Sequence, residues 1–597
     1  MTAPRRPLRP LARVFNARAH GENPDDVEAE ERAARMRERQ RAERRRAAAR
    51  LWLLAATFVL AFGTVGARMS VLATTDPVEP KAAVQSAQIV AQRADILDRN
   101  GAILATNLQT ASLYAQPQLM VDRAAAAAGL AAIFSDENET ELLKQFSGKR
   151  KFLWIKRSLS PEQRQAVHDL GEPGLQFGPR EMRLYPNGSL AAHVLGGYGF
   201  GREGVHAAEV IGSAGVELTF DAFLRDPANQ GQPLELSLDL SVQAAVERVL
   251  AGGMRLMNAK GAAAVLMEAE TGQIIAMTSL PDFDPNKRPP PPTSGDPSNS
   301  PIFNRAAQGV YELGSTFKVF AAAQAIELGL AGPETVIDTK GPMAWGRFRI
   351  RDFHDYGPRM TLNEVVVKSS NIGTARIALE IGAERQQAFL ETLGFMEPVP
   401  VTLPEARRTK PLKPKRWSEI STMTISYGHG LAATPLHLAT AYASLVNGGL
   451  RVRPSLLKDT PPPTEADRVL SEETSRKIRS MLRQVVQRGT ATLANVEGYR
   501  VGGKTGTADK PKHTGGYYED KVIATFVAAF PAHDPEYVLV VSLDEPEDRA
   551  GREARRTAGW TAAPVAGEII RRIAPLMNLR PLPKEDAPEV TSLRTGN

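Results

Sequence analysis

Between Leu51 and Ala67 the chain reads LWLLAATFVLAFGTVGA, without one charged residue, and Arg44, Arg45, Arg46 and Arg50 stand immediately before it. Seventeen helical residues at ~1.5 Å each reach roughly 26 Å, near the short limit for a bilayer. Arg68 can snorkel, and Ala47–Ala49 and Met69–Ala73 can lengthen the helix at either end. The arginines on the near side predict residues 1–50 in the cytoplasm and the remainder outside. A cleaved signal peptide is the rival reading, but its basic leader would be far shorter. A buried soluble helix is disfavoured by the arginine block. No second run of comparable length occurs, so one crossing is expected.

This anchor changes what the charge means. The net charge is +7, yet residues 1–50 hold fourteen Arg against eight Asp and Glu, or +6, leaving +1 for the rest. The basicity belongs to a tail, and no basic patch with interleaved aromatics comes after it, so nucleic acid is not an expected partner. The absence of cysteine excludes disulfides, thiolate metal sites and cysteine nucleophiles. The nine histidines show no metal-ligand spacing, and neither metal nor cofactor is expected. At 597 residues there is room for two or three domains.

Residues 74–82 read as a linker. A mixed segment over 83–255 contains a strand-like stretch with a turn at Asn100-Gly101, then helical patterns at DRAAAAAGLAAIF and near Pro161–Leu170. It has no evident nucleophile and reads as a pedestal. From Lys260 the texture changes. Ala262–Met267 and Gln273–Thr278 form an expected hairpin, helices are expected from Val319 and over Thr434–Val446, and VIATFVAAF and YVLVVSLDE read as strands before a helix AAPVAGEIIRRIA. Strands, a mostly helical middle and strands again predict an α+β domain whose sheet is assembled from both ends. The expected partition is 1–50 tail, 51–72 anchor, 73–255 pedestal, 256–578 catalytic domain and 579–597 disordered tail.

Ser315-Thr316-Phe317-Lys318 comes directly after Gly314 and opens the helical run. If a helix starts at the serine, residues i and i+3 share a face, and the lysine amine reaches the hydroxyl. A serine hydroxyl needs such a base, and a lysine can serve only when burial or neighbouring charge lowers its pKa. Alone the motif is weak, for Ser455-Leu456-Leu457-Lys458 has the same spacing with no supporting feature. Two further clusters strengthen it. Ser369-Ser370-Asn371 can relay a proton and hold an amide, although it also reads as a helix cap. Lys504-Thr505-Gly506-Thr507 can offer a cation, two hydroxyls and an unobstructed backbone, although Lys-Thr-Gly also reads as a turn and His513-Thr514-Gly515 nearly repeats it.

The three clusters in this order resemble the penicillin-binding proteins, specifically the class B monofunctional transpeptidases with one membrane anchor. Arg93-Ala94-Asp95-Ile96-Leu97-Asp98-Arg99-Asn100-Gly101 is similar to that family's membrane-proximal signature, with Ala94 replacing the usual glycine. Arg183-Leu184-Tyr185-Pro186-Asn187-Gly188, His193, Gly196, Gly215 and Glu217 resemble its second pedestal signature. Thr271–Ala276, Asp284-Pro285-Asn286, Tyr427-Gly428-His429-Gly430 and Thr434-Pro435-Leu436 resemble the catalytic domain, with His437 where glutamine is more usual. The Ser369-Ser370-Asn371 form and the continuation through Lys510 to Gly515-Gly516-Tyr517 are most similar to the septal, division-specific members.

The resemblance implies a penicillin-binding fold, a central antiparallel sheet with helices, on an elongated mixed pedestal. It implies Ser315 as nucleophile on the penultimate D-alanine carbonyl of a stem peptide, Lys318 as general base, Ser369 as proton relay, and Asn371 orienting the substrate amide and Lys318. Lys504 would supply positive potential, Thr505 and Thr507 would bind the substrate carboxylate, Gly506 would let the substrate approach, and the backbone N–H groups of Ser315 and Thr507 would form the oxyanion hole. The implied partners are peptidoglycan stem peptides and nascent glycan, β-lactams as inhibitors, the inner membrane, and division proteins including a glycosyltransferase; the catalytic domain would be periplasmic. An elongation-type transpeptidase, a D,D-carboxypeptidase, a division scaffold and a β-lactam sensor stay open as alternatives. A secreted β-lactamase would need no pedestal, and no room exists for a glycosyltransferase domain in the chain.

Overall fold

A computed structural model describes residues 93–203, 208–512 and 515–583, together with 19–21, 25–26, 29–30, 33–34, 36–37, 52–67 and 69. The chain divides into two units, 1–89 and 90–597. In the first, residues 52–67 are helical and their side chains are exposed. Thr57 Oγ1 donates to Leu53 O at 2.8 Å and Thr64 Oγ1 to Leu60 O at 2.9 Å, so each hydroxyl is satisfied within its own helix. Among the described residues no helix is long and apolar enough to cross a membrane. The expected linker at 74–82 lies outside the described residues, as do His513, Thr514 and 584–597 of the expected tail.

In the second unit the N-terminal half is a five-stranded sheet. Strand Ile103–Ala115 pairs antiparallel with Leu153–Leu159, Leu175–Leu184 and Ile96–Leu97, and Ile96–Leu97 runs parallel to Leu234–Glu235. Helices Arg123–Ile133, Glu139–Phe146 and Pro161–Asp169 accompany it, each begun by a side-chain cap (Asp122, Asn138, Ser160) where the sequence turns from polar to periodic. At its base lies a buried ionic cluster. Glu217, fully buried, accepts Arg93 Nε and Arg183 Nε at 2.7 Å each and Tyr185 OH at 3.2 Å, while Arg93 Nη1 reaches Asp221 at 2.6 Å. Both resembling signatures of this half therefore meet on one carboxylate.

Asp98 ties this half to the domain that carries the three clusters: its carboxylate accepts the N–H groups of Asn100 (2.8 Å), Ala102 (2.7 Å) and Leu240 (2.9 Å). Leu240 begins helix α1 (Leu240–Leu256), capped by Asp239. Strands β1 (Gly261–Glu268) and β2 (Ile274–Leu280) form the expected hairpin, every residue of β2 buried. After a long irregular stretch comes helix α2 (Lys318–Glu327), then a small hairpin of β3 (Met343–Trp345) and β4 (Phe348–Ile350), then α3 (Leu362–Lys368) and α4 (Asn371–Ile381). Helices α5 (Pro435–Val446) and α6 (Glu472–Arg488) lead to strands β5 (Gly502–Pro511), β6 (Tyr517–Phe530) and β7 (Tyr537–Asp544) and to helix α7 (Ala562–Ile573).

The main sheet runs β5-β6-β7-β1-β2, antiparallel throughout, so residues 261–280 and 502–544 do build one sheet from both ends of the domain. Strands β1, β2 and β7, and β6 from Val522 onward, are nearly continuous apolar runs because helices cover both faces. Helix α2 is buried from Lys318 to Ile326, with Phe317, Phe320, Phe395 and Tyr442 packed ring against ring at 4.9–5.3 Å. Strand β5 is left at the sheet edge, and that edge faces the start of α2. The chain stays packed at Leu579, which is buried, and Leu582 N donates to Gly498 O at 2.7 Å.

Candidate active site

Ser315 lies in a tight turn. Residues Gly314–Phe317 form one turn of 3₁₀ helix, and the α-helix begins at Lys318, whose N–H donates to Ser315 O. The sequence predicts an α-helix from the serine itself; the backbone tightens because it is squeezed. A side chain on Gly314, at φ +57°, would put Cβ 2.6 Å from Thr507 O, and one on Gly428 would put Cβ 1.9 Å from Gly314 O. On β5, a Cβ at Gly506 would stand 2.2 Å from Leu313 O. Three backbone passes thus touch where no side chain intervenes. The tighter turn favours the chemistry, because a 3₁₀ helix has three residues per turn and eclipses positions i and i+3. Ser315 and Lys318 occupy those positions. From behind, Tyr442 OH donates to Thr316 O at 2.7 Å and fixes the turn on the aromatic cluster.

Lys318 is 1% exposed, and its Nζ donates to Ser369 O at 2.5 Å and Ser369 Oγ at 3.0 Å. Lys504 is fully buried, and its Nζ reaches the same Ser369 Oγ at 3.0 Å and Thr505 O at 3.1 Å. One hydroxyl therefore joins two lysines from opposite ends of the domain. Burial, and then the charge of Lys504, hold Lys318 well below the usual lysine range; the Asp352 carboxylate acts weakly the other way. Burial lowers Lys504 to about 7. Two ammonium groups on one dry hydroxyl repel, so the neutral amine that a general base requires is favoured at Lys318.

Ser369 reaches this position by a local strain. It closes α3 with φ +67°, the left-handed region that serine seldom adopts. Ser370 caps α4, its Oγ accepting Gly373 N at 3.0 Å, so the cap reading of Ser369-Ser370-Asn371 applies to Ser370, next to the hydroxyl that the two lysines share. The stretch is held by Asp352, which accepts Ser370 Oγ at 2.7 Å, Asn371 N at 2.5 Å and Ile372 N at 3.0 Å. Asn371 Nδ2 donates to Arg351 O at 2.9 Å; its amide is turned to that carbonyl rather than to Lys318.

Lys504-Thr505-Gly506-Thr507 lies in strand β5, not in a turn. Alternation on an extended strand puts Lys504 and Gly506 on the face toward the Ser315 turn and Thr505 and Thr507 on the other. Thr505 Oγ1 is 2.6 Å from Thr490 Oγ1, and Thr507 Oγ1, half-buried, accepts Ala558 N at 3.0 Å. The competing Ser455–Lys458 motif is spent elsewhere: Lys458 Nζ pairs with Glu235 at 3.3 Å.

Sequence reasoning did not single out Glu312, Asp352, Thr490 or Tyr442. Glu312, three residues before the serine, accepts Gly430 N at 2.7 Å, Tyr517 OH at 3.0 Å and His429 Nδ1 at 3.2 Å, binding the 427–430 loop and the β5–β6 hairpin to the turn. Burial pushes its carboxyl up, and the hydrogen bonds from His429 and Gly430 more than reverse this. The signal for Glu312 was its place beside Gly314; Asp352 offered none, since only folding brings it to α4.

Two family descriptions match the chain: "Penicillin binding protein transpeptidase domain" over residues 262–571, and "Penicillin-binding Protein dimerisation domain" over 88–232. Among curated relatives, the probable peptidoglycan D,D-transpeptidase FtsI of Caulobacter vibrioides is 36% identical over 499 residues, covering 82% of each chain. Peptidoglycan D,D-transpeptidase FtsI of Escherichia coli is 29% identical over 525 residues, 83% of this chain and 85% of that one. Among solved structures, penicillin-binding protein 3 of Mycobacterium tuberculosis complexed with aztreonam superposes with a TM-score of 0.61 at 27% identity, over 83% of this chain and 98% of that one.

Proposed function

This chain belongs to the class B penicillin-binding proteins, the serine-type peptidoglycan D,D-transpeptidases, and we propose that within that family it cross-links stem peptides at the division septum through an acyl-Ser315 intermediate that β-lactams intercept. The observation that carries the mechanism is the hydroxyl of Ser369 shared by two buried, pKa-depressed lysines beside the serine turn.

Ser315 Oγ attacks the penultimate D-alanine carbonyl while Lys318, neutral, takes its proton. The carbonyl oxygen, now an anion, is received by the backbone N–H groups of Ser315 and Thr507. The C–N bond to the terminal D-alanine breaks as that nitrogen takes a proton relayed from Lys318 through Ser369 Oγ. Lys504 draws in the substrate carboxylate, with Thr505 and Thr507 as its hydrogen-bonding partners; Gly506 keeps the strand edge close and Asn371 orients the substrate amide. An amine of a neighbouring stem peptide then attacks the ester, a C–N bond forms, the C–Oγ bond breaks, and Ser315 regains its proton. The exchange consumes no nucleotide, which suits a periplasmic site.

We further propose a single inner-membrane anchor at 51–72 with residues 1–50 cytoplasmic. Its support is the arginine block, the helical described residues 52–67 with exposed apolar side chains, and hydroxyls that hydrogen-bond within the helix, as lipid demands. Residues 73–255 are read as the pedestal, 256–578 as the catalytic domain, and a glycosyltransferase and other division proteins as partners. The similarity to FtsI proteins supports the septal role.

A fluorescent penicillin should label the purified protein, and Ser315→Ala should abolish labelling; mass mapping of the adduct should return the peptide containing Ser315. Labelling that survives the substitution moves the nucleophile elsewhere. Cross-linking of nascent glycan separates this reading from a carboxypeptidase, which would release D-alanine and form no cross-links.

A further inference from the structure

Strands β3 and β4 form an arm beside the site. They pair from Met343↔Ile350 to Trp345↔Phe348, and a two-residue turn at Gly346-Arg347 closes the tip, Gly346 at φ +57°. The root of the arm is built on α4: Met343 and Ile350 are buried with Ile372, Ala375 and Met423. Immediately after β4, Arg351 O accepts the Asn371 amide and Asp352 holds Ser370 and Asn371. The arm and the segment that carries Ser369 are therefore one mechanical piece.

Its outer surface is a small basic patch with interleaved aromatics, which the sequence reading did not expect after the tail because Arg347–His354 alternates with buried and polar positions and gathers only on the folded arm. Arg347, Phe348, Arg349, Arg351, Phe353 and His354 are all exposed, Phe353 to 82%. Among the described residues none of Arg347, Arg349 and Arg351 has an ion-pair partner; Arg347 lies over the Phe348 ring at 5.2 Å instead. The nearby carboxylates are occupied, Asp352 by α4 and Asp355 by Gly357 N at 2.9 Å. From Thr339 to Arg359 there are five Lys and Arg against two Asp, or +3. Exposed aromatic faces interleaved with unpaired guanidinium groups mark a binding surface rather than a solvated one.

The transpeptidase mechanism identifies the occupant. On the transpeptidase reading the acyl-donor peptide lies along the edge of β5, with Lys504 and the two threonines taking its carboxylate. The attacking amine must then arrive past the other segment that reaches the cluster, residues 369–371, and so across the arm. We propose that the arm docks the acceptor strand of peptidoglycan: its sugar rings lie on Phe353 and Phe348, and its stem-peptide carboxylates pair with Arg347, Arg349 and Arg351. This inference rests on the transpeptidase reading and adds to it the site of the second substrate.

The test uses the full chain in detergent, a small thioester donor that acylates Ser315, and two classes of acceptor: uncross-linked glycan strands carrying stem peptides, and free D-alanine. In the variant Arg347→Ala/Arg349→Ala/Phe353→Ala, acylation by the donor, hydrolysis of the acyl-enzyme and aminolysis by D-alanine should be unchanged. The strand concentration giving half-maximal aminolysis should rise about tenfold, the sum of two exposed ion pairs and one stacking face. Strands with amidated carboxylates should show a similar rise on the unsubstituted protein. An unchanged half-saturation for intact strands overturns the proposal, as does a variant that loses binding to anionic vesicles while keeping strands. Should the triple variant melt early, Arg349→Glu alone decides, with about a threefold rise expected for one exposed pair replaced by a like charge. Failure of the donor to acylate the unsubstituted protein would instead sink the parent reading, so the two failures are distinguishable.

Discussion

Gly506→Ala tests whether bare backbone contact sets the position of the nucleophile. The added Cβ would stand 2.2 Å from Leu313 O and 2.8 Å from Thr316 Cγ2. A carbon and a carbonyl oxygen settle at about 3.3 Å or more. The edge strand and the serine turn must therefore part by ~1 Å, since the obstructing atom is backbone and cannot rotate away. Overpacking of this kind costs about 1–3 kcal/mol of stability. The larger effect is on rate, because a displacement of about 1 Å between reacting groups can cost ~10²-fold. Stopped-flow acylation with a fluorescent penicillin should show the second-order rate constant down by that order, with only a modest loss of melting temperature. Gly252→Ala is the control: it lies in α1 with nothing within 4 Å of the new Cβ, and acylation should be unaffected. Acylation of the Gly506→Ala protein within about threefold of normal, by an intact fold, would refute the argument that the contact fixes the distances.

Other outcomes are set by the charges. The acid limb of the acylation profile should lie well below the ordinary lysine pKa of ~10.4, where Lys318 takes up its proton, and an alkaline decline should begin near 7 as Lys504 loses its charge; a flat profile across pH 6–9 at about 25 °C would remove Lys504 as the carboxylate's cation. Because the folded pKa of Lys504 lies below its unfolded one, the unfolded chain binds the extra proton between them, so its contribution to stability is least favourable below about 7 and improves as pH rises from there; denaturation midpoints at a series of pH values check the sign. Asp352→Asn removes a carboxylate that accepts three hydrogen bonds and acts to raise Lys318; we expect a loss of about 1–3 kcal/mol and an acid limb displaced to lower pH, read from melting and from the same acylation profile. Glu217→Gln leaves two buried guanidinium groups without their shared carboxylate and should cost about 3–5 kcal/mol in urea unfolding, while acylation by penicillin in the folded fraction is retained.

Much of the catalytic half was legible. Strands β1, β2, β6 and β7 are apolar runs of strand length bounded by turns, and α5 carries its own start signal in Thr434-Pro435 and its stop at Asn447-Gly448. The spacing of Ser315 and Lys318 was legible for a reason slightly different from the one the sequence suggests: the turn is 3₁₀, and only the squeeze by Gly428 and Thr507, remote in sequence, makes it so. The left-handed Ser369 was hidden because residue type argues against it; the position is over-determined by the lysines and by Asp352. Asp352, Thr490 and Glu312 act through contacts between distant segments, which periodicity and local propensity do not encode. Small paired strands such as β3 and β4 were absorbed into a middle read as mostly helical, since three residues are too few to show alternation.

The cluster at Glu217 has a mechanical consequence. Arg93 is gripped at once by Glu217, Asp221 and the carbonyl of Val210. Any tug or torque delivered along the chain from its N-terminal side meets that grip before it meets the sheet. Removing one partner of a dry ion pair costs about 3–5 kcal/mol, so this grip should hold against loads that would part a solvent-exposed pair. The seating of Arg93 would then depend on two carboxylates, Glu217 and Asp221, and a change at either should loosen it.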